Sequence, residues 1–210
     1  MDIASRKGEN PFDEPVRILR DSEPEEVASR AGARWLGSGP GAGEMSLPVL
    51  CGEVTVRFPD VEVDASPPVS SFSLKLLSVI YLSTTDGTAP SGDLLAYRDL
   101  PGGRFYEPVV RRSVEEPLAH AFGEDPGRFR EACAAWGGAE EHFGDASCSF
   151  AIFPNVRLII ILWRRDDEFP ARVQAIFDSN STHHLNAFDL RMGAQEVSSR
   201  LIKELKGEGG

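Results

Sequence analysis

The chain has 210 residues, with 33 acidic against 22 basic side chains, so its formal net charge is −11. Its hydrophobic fraction of 41% and charged fraction of 26% are those of an ordinary globular domain, which excludes a collagen-like, wholly disordered or membrane-embedded chain. Because so acidic a surface repels phosphate groups, we do not expect a nucleic-acid partner.

Cysteine use and the amino terminus both bear on the cellular compartment. Cys51, Cys133 and Cys148 are odd in number, far apart and form no CxxC pair, so they match neither a zinc ribbon nor an iron–sulfur motif. We expect them to be reduced and buried. Residues 1–15 carry early acids and no apolar run, so they match neither a secretory signal nor a transit peptide. Together these features favour a cytoplasmic protein with no membrane segment.

Residues 1–43 are predicted to hold a leader, a helix and a connector. The polar residues up to Glu14 lack periodicity, which indicates a loose leader. The sequence SEPE then has the form of a capping box, and the apolar residues after it predict a helix from about Glu23 to Leu36. The glycine-rich residues 37–43 predict a flexible connector. We therefore expect the main domain at residues 44–210.

Strand and helix signals follow without a regular order. From Glu44 to Val63 apolar residues alternate with others around a Cys-Gly-Glu turn, which predicts a hairpin. Residues 69–80 have apolar side chains at helical spacing, but Phe72, Leu74 and Leu76 also alternate, so a helix and a strand both fit.

Helical signals dominate the stretch before the last strands and the end of the chain. Residues 105–122 have the spacing of one kinked helix or of two short ones. Asp125-Pro126 begins a further helix that Gly137-Gly138 ends. Apolar residues from Leu190 to Leu205 form the stripe of an amphipathic closing helix.

The clearest strand pattern is an isoleucine-rich run in the carboxyl-terminal half. Val156 to Trp163 is broken only by Arg157, is too short to cross a bilayer, and is typical of a strand buried on both faces. Ser149–Phe153 and Ala171–Phe177 flank it, which predicts three strands in a meander. The predicted fold class is therefore α+β, a single domain with a largely antiparallel sheet flanked by helices.

Three stretches resemble a known family: YLSTTDGTAPSGDLLAYRDLPGG at residues 81–103, FGDASCSFAIFPNVRLIIILWRRDDEFPARVQAIFD at 143–178, and SNSTHHLNAFDL at 179–190. They are similar to the uncharacterised bacterial and archaeal domain-of-unknown-function family 3786, and the resemblance spans about Leu76 to Leu205. Some relatives carry or neighbour an iron–sulfur domain found in corrinoid proteins of one-carbon metabolism, so the resemblance implies an association with cobamide or redox chemistry. This chain lacks the cysteine cluster of such relatives. The link would therefore run through a partner or a bound ligand.

His183 and His184 are the first candidates for a binding site, because imidazoles in a polar loop before a helix can ligate a metal or the cobalt or iron of a tetrapyrrole. Adjacent residues of an extended loop point to opposite sides, so we expect only one of the two to bind. Asp178 opens the same loop, and Arg164 ends the central strand, where its guanidinium can hold an anionic group. The alternative is a solvated histidine pair, with Arg164 paired to the acids at residues 166–168.

Two weaker patterns lie in the same half of the chain. Asp178 to Thr182 partly imitates a calcium loop, but His183 stands where that loop needs glycine, so a turn held by local hydrogen bonds fits better. Cys148 and His142 have the residue types of a nucleophile and its base, but the start of a strand in an apolar face favours an inert thiol.

The sequence thus predicts a soluble accessory or binding protein that holds a tetrapyrrole-like cofactor, a corrinoid or haem, near His183 and His184. The resemblance implies an iron–sulfur or corrinoid protein as its partner. Two alternatives stay open at this point, a small-molecule enzyme of unspecified reaction and a protein-interaction subunit without a ligand.

Overall fold

The computed structural model describes residues 10–207, so most of the predicted leader lies outside the described residues. The described part begins with two short helices, α1 (Asp13–Arg20) and α2 (Pro24–Ala31). The proline at the start of α2 confirms the predicted helix start, since the first helical position needs no N–H donor. The helix ends at Ala31 and not at Leu36, because Gly32 takes a left-handed conformation with φ 66° and closes it.

An antiparallel sheet follows, in chain order: β1 (Arg34–Gly39), β2 (Ala42–Val49), β3 (Gly52–Phe58) and β4 (Glu62–Ala65). The predicted hairpin is confirmed as β2 and β3. The glycine-rich connector is corrected, because Gly37 pairs with Gly43 and these residues form the β1–β2 hairpin. The ring of Trp35 packs edge-on against that of Phe58, with the centroids 5.6 Å apart, and this contact joins β1 to β3. The boundary expected after residue 43 therefore falls inside strand β2.

The segment for which helix and strand both fitted is a helix, α3 (Phe72–Thr84). The hydroxyl of Ser71 accepts a hydrogen bond from the Leu74 N–H at 3.1 Å and caps the first turn. A short strand, β5 (Leu94–Ala96), and a 3₁₀ turn (Tyr97–Asp99) come after a long polar loop. This loop, residues 85–93, becomes one half of the candidate site.

Residues 103–122 form one continuous helical stretch and not two separate helices. It consists of α4 (Gly103–Val110), a π-helical turn (Arg111–Glu115) and α5 (Glu116–Phe122). The next helix, α6 (Pro126–Ala135), begins where predicted, and the Asp125 carboxylate accepts from the Arg128 N–H at 3.1 Å. The predicted closing helix is α7 (Ala187–Leu205).

The second sheet contains the predicted meander and is antiparallel throughout. Its further strands are β6 (Ala139–Glu141), β7 (Ala146–Phe153), β8 (Val156–Trp163) and β9 (Arg172–Asp178), in the order β5-β9-β8-β7-β6. The predicted central strand is confirmed as β8. Ile160 packs in the main core, whereas Ile159 and Ile161 form a small cluster with Ile176 on the other face. Both faces of β8 are therefore buried, as its apolar run predicted.

A shared hydrophobic core joins the two sheets and the helices into a single α+β domain, which confirms the predicted fold class. A hydrogen bond from the Leu50 N–H to the Ala151 carbonyl, 3.2 Å long, links β7 to the β2–β3 turn. Cys133 and Cys148 are buried as predicted, but Cys51 is exposed in that turn. Within residues 10–207, no helix combines the length and hydropathy needed to cross a membrane.

Candidate functional site

Two polar loops meet at one end of the second sheet. One is the loop after α3, and the other runs from the last residue of β9 through a 3₁₀ turn (Ser179–His183) toward α7. We call their meeting point the polar junction, and it consists of Thr85, Asp86, Thr88, Ser91, Gly92, Asp178, Asn180, His183 and His184. Both loops belong to the stretches that carried the family resemblance.

Asp178 is the buried centre of the polar junction. Its carboxylate accepts hydrogen bonds from the Ser91 N–H and hydroxyl at 3.0 Å each, from the Gly92 N–H at 2.7 Å and from the Asn180 N–H at 3.2 Å. Burial alone raises the pKa of Asp178, but these hydrogen bonds outweigh it and hold the pKa below its usual value. Asp178 is thus an ionised group whose oxygens are used within the protein to fix the loop at residues 91–92.

His184 is also turned inward, with only 1% of its surface exposed. Its Nε2 lies 2.9 Å from the Thr88 carbonyl oxygen, and its Nδ1 lies 2.8 Å from the Thr85 hydroxyl. Because a carbonyl only accepts, Nε2 carries the proton and Nδ1 accepts from Thr85. Burial lowers the pKa of His184, which favours this neutral form.

Asn180 completes the buried half of the polar junction. Its amide nitrogen donates to the carbonyls of Thr88 and Asn155, each at 3.0 Å. The same nitrogen lies 3.2 Å from Nε2 of His184, but two donors face each other there, so this contact is not a hydrogen bond. The amide therefore ties both loops to the β7–β8 turn.

His183 is the exposed member of the histidine pair, with 53% of its side chain accessible, although its ring centroid lies 6.4 Å from that of His184. Its Nδ1 lies 2.9 Å from an Asp86 carboxylate oxygen, and among the described residues its Nε2 has no hydrogen-bond partner. Hydrogen bonds from Thr88 and then from His183 hold the pKa of Asp86 well below its usual range, so the carboxylate is ionised and the imidazole donates through Nδ1. Nε2 is therefore the ring nitrogen that this pairing leaves available.

Arg164 lies far from the polar junction. Trp163 pairs with Arg172 at one end of the β8–β9 ladder, whereas Leu158 pairs with Phe177 near the other, so Arg164 and Asp178 are separated by most of a strand, on the order of 20 Å. The Arg164 N–H donates to the Asp145 carboxylate at 2.8 Å. The structure thus brings Asp178, His183 and His184 together and does not bring Arg164 to them.

The residues that sequence reasoning missed belong to the loop after α3. Asp86, Thr88 and Ser91 supply most of the partners of the predicted residues, but they lie about a hundred positions earlier in the chain. The signal that marked them was the TTDGTAPSGD part of the family resemblance. Residues 10–207 contain no group of three or more His, Cys, Asp or Glu side chains placed to hold a metal ion.

Two surface clefts lie away from the polar junction. One, of about 580 Å³, is formed by α5 and the β8–β9 loop and includes His120, Arg165 and Phe169. The other, of about 490 Å³, lies at the start of α4 and includes Arg98, Arg104 and Phe105. The solvent-facing Asp86–His183 pair lines neither of them.

Fold and site together define an α+β domain in which two motif-bearing loops are locked by a buried carboxylate and present a carboxylate–histidine pair to solvent. The sequence model of the domain of unknown function DUF3786 matches residues 23–199, so the chain belongs to this family. No curated protein and no solved structure matches the chain.

Proposed function

We propose that this chain is a cytoplasmic accessory protein that binds a metal-centred tetrapyrrole, a cobalt corrinoid or an iron haem, through Nε2 of His183. The observation that carries the proposal is the Asp86–His183 pair, in which a carboxylate fixes one ring nitrogen and leaves the other toward solvent. Metal-ligating histidines commonly donate their second N–H to such a carboxylate, which orients the ring and raises its basicity.

The proposal separates the roles of the two adjacent histidines. His184 has both ring nitrogens engaged by Thr85 and Thr88, so a metal could reach it only after those hydrogen bonds were broken. His183 offers its Nε2 with no such cost. Asp178 supports the site by fixing the loop, and it contributes no ligand atom because its oxygens are occupied by N–H and O–H donors.

A binding role fits the position of the pair better than an enzymatic role. Enzymes commonly hold the substrate in a concave pocket that excludes water, whereas the Asp86–His183 pair is about half exposed and lines neither surface cleft. If a tetrapyrrole were bound here, His183 would supply one ligand atom to its metal and Asp86 would orient the imidazole. The family resemblance supports a corrinoid or iron–sulfur protein as the partner that exchanges the cofactor or electrons with this chain.

Visible absorbance titrations with aquacobalamin and with haemin test the proposal. We expect band shifts with the wild type and with His142→Ala, whose histidine is exposed but distant in sequence, and no shift with His183→Ala. Asp86→Asn should weaken binding about 10- to 100-fold, the usual effect of losing an outer-shell carboxylate. Unchanged spectra with the wild type, or equal shifts with His183→Ala, would remove the tetrapyrrole from the proposal.

A further inference from the structure

Exposed aromatic rings and arginines form one continuous surface across the start of α4 and the first turns of α7. We call it the aromatic–arginine patch, and it consists of Arg98, Arg104, Phe105, Tyr106, Phe188 and Arg191. None of these residues belongs to the polar junction.

Two aromatic rings of the patch are open to solvent, and the third, that of Tyr106, is partly buried against the core. Phe105 is 78% exposed and Phe188 is 41% exposed. Tyr106 connects them, with its ring centroid 4.9 Å from that of Phe105 and 5.7 Å from that of Phe188. Single exposed apolar residues are ordinary, but a contiguous set of this kind marks an interaction surface. Phenylalanine and tyrosine are also enriched where proteins bind one another.

Arginines surround these rings on a chain whose net charge is −11. The Arg191 guanidinium lies over the Phe188 ring, 4.6 Å from its centroid. Arg98 and Arg104 line the cleft of about 490 Å³ beside Phe105. Arg98 is 3.7 Å from the Asp99 carboxylate, but Arg104 forms no ion pair within residues 10–207. Asp99 also lines this cleft, so the patch together with Asp99 has three arginines against one acid and is a locally basic, partly apolar surface on an acidic protein.

Two close contacts hold the backbone beneath the patch. The buried Tyr97 donates its hydroxyl hydrogen to the carbonyl of Ala187 and ties the start of α4 to the start of α7. Gly103 packs so closely on this turn that an added Cβ would lie 1.9 Å from the Tyr97 carbonyl oxygen. A pre-ordered surface loses little conformational entropy on binding, which favours affinity.

We propose that the aromatic–arginine patch docks an acidic segment of another protein that carries an aromatic or aliphatic anchor residue. Charge complementarity argues for this partner, because the arginines can pair with carboxylates while the cleft beside Phe105 receives the anchor. A second copy of the chain fits less well, since a symmetric contact would bring two locally basic patches together. Nucleic acid fits less well because the protein as a whole repels phosphate. The proposal does not rest on tetrapyrrole binding by His183.

Fluorescence anisotropy with three labelled peptides tests the proposal. The first peptide is rich in Glu and Asp around a central Phe-Leu pair, the second has Lys in place of every acid, and the third has Ser in place of Phe-Leu. We expect the full-length protein to bind the first peptide, more weakly at high salt, and to bind neither of the others. Phe105→Ala and Arg104→Glu should each raise the Kd about tenfold or more, as central interface contacts do.

Matched controls separate the patch from exposed residues in general. Phe169→Ala, in the β8–β9 loop, and Arg34→Glu, in β1, change equally accessible residues and should leave the Kd unchanged. Circular dichroism melting should show that all four variants stay folded. Absence of binding to the first peptide, equal binding of the Lys peptide, equal affinity of the patch variants, or preferential binding of single-stranded DNA would each overturn the proposal.

Discussion

Nδ1 of His184 lies 2.8 Å from the hydroxyl of Thr85, a residue 99 positions earlier in the chain. Thr84, the last residue of α3, also donates its hydroxyl hydrogen to the His184 carbonyl. These two contacts join the end of α3 to the loop that leads into α7. His184 is therefore a structural residue, although its neighbour faces solvent.

The first prediction compares these two histidines. His184→Ala removes a buried ring and leaves the Thr88 carbonyl without its imidazole donor, so it should lower the free energy of unfolding by about 2–4 kcal/mol. His183→Ala changes a half-exposed side chain and should stay within about 0.5 kcal/mol of the wild type. Urea denaturation of the three proteins measures both values. Similar losses of unfolding free energy in His183→Ala and His184→Ala would contradict the different roles assigned to the two histidines.

The second prediction concerns the charge of His184. Because burial lowers its pKa, the neutral ring favours the folded state, and this contribution is present above the unfolded pKa of about 6.5 and is lost as the pH falls through the folded pKa. Nitrogen-15 NMR of the imidazoles should find His184 as the neutral Nε2–H form at about pH 6.5, where a free imidazole is half protonated. A half-protonated His184 at that pH would contradict its burial.

The third prediction concerns the carboxylate at the centre of the polar junction. Asp178→Asn places an amide donor among the N–H and O–H donors of Ser91, Gly92 and Asn180, so it should cost about 2–3 kcal/mol at pH 7. Asp93→Asn, an exposed change in the same loop, is the matched control and should cost little.

The difference in unfolding free energy between wild type and Asp178→Asn should depend on pH. The folded pKa of Asp178 lies below the unfolded value of about 3.9, so its stabilising effect is present above that value and is lost as the pH falls through the folded pKa. The gap in unfolding free energy between wild type and Asp178→Asn should therefore narrow below about pH 4. A constant gap from pH 7 to pH 3 would exclude a role for the charge.

The second sheet was predictable because the apolar pattern of its central strand is local in the sequence. The run from Val156 to Trp163 is apolar at every position but one, and its short length and isoleucine content favour a strand buried on both faces. The strand at Trp35 was not predictable in the same way. Its neighbours also fit a helix, whereas the strand depends on backbone pairing with a later segment, in which Trp35 lies opposite Met45 of β2.

The candidate site was predictable only in part for the same reason. The loop that holds Asp178, His183 and His184 is contiguous, so the sequence groups these residues at once. Which histidine faces solvent depends on Thr85, Asp86 and Thr88, whose proximity is set by how the end of α3 packs near the start of α7. Arg164 was grouped with these residues because it follows the central strand. That strand runs away from Asp178, so Arg164 lies at the opposite end of the sheet.

The π-helical turn between α4 and α5 contains an acid with a structural role. Glu115, in that turn, accepts a hydrogen bond from the Ala175 N–H of β9 at 3.1 Å. β5 pairs with β9 only from Ile176 onward, so the carboxylate satisfies a backbone donor that β5 does not reach. Burial raises the pKa of Glu115, and the Ala175 hydrogen bond and Arg172 only partly offset this effect.

The last prediction concerns the effect of the raised pKa of Glu115 on stability at different pH values. Because the folded pKa is raised, the protonated acid favours folding, and this stabilisation is full below the unfolded pKa of about 4.3 and is lost as the pH rises through the folded pKa. Glu115→Gln keeps an oxygen to accept from Ala175 and removes the charge, so it should raise the Tm at pH 7 by on the order of a few degrees. The difference in Tm between Glu115→Gln and the wild type should vanish below about pH 4. Glu116→Gln, which changes an exposed acid 3.5 Å from Arg111, is the control and should leave the Tm nearly unchanged at both pH values. A lower Tm for Glu115→Gln at pH 7 would mean that the ionised carboxylate is needed to hold the edge of β9.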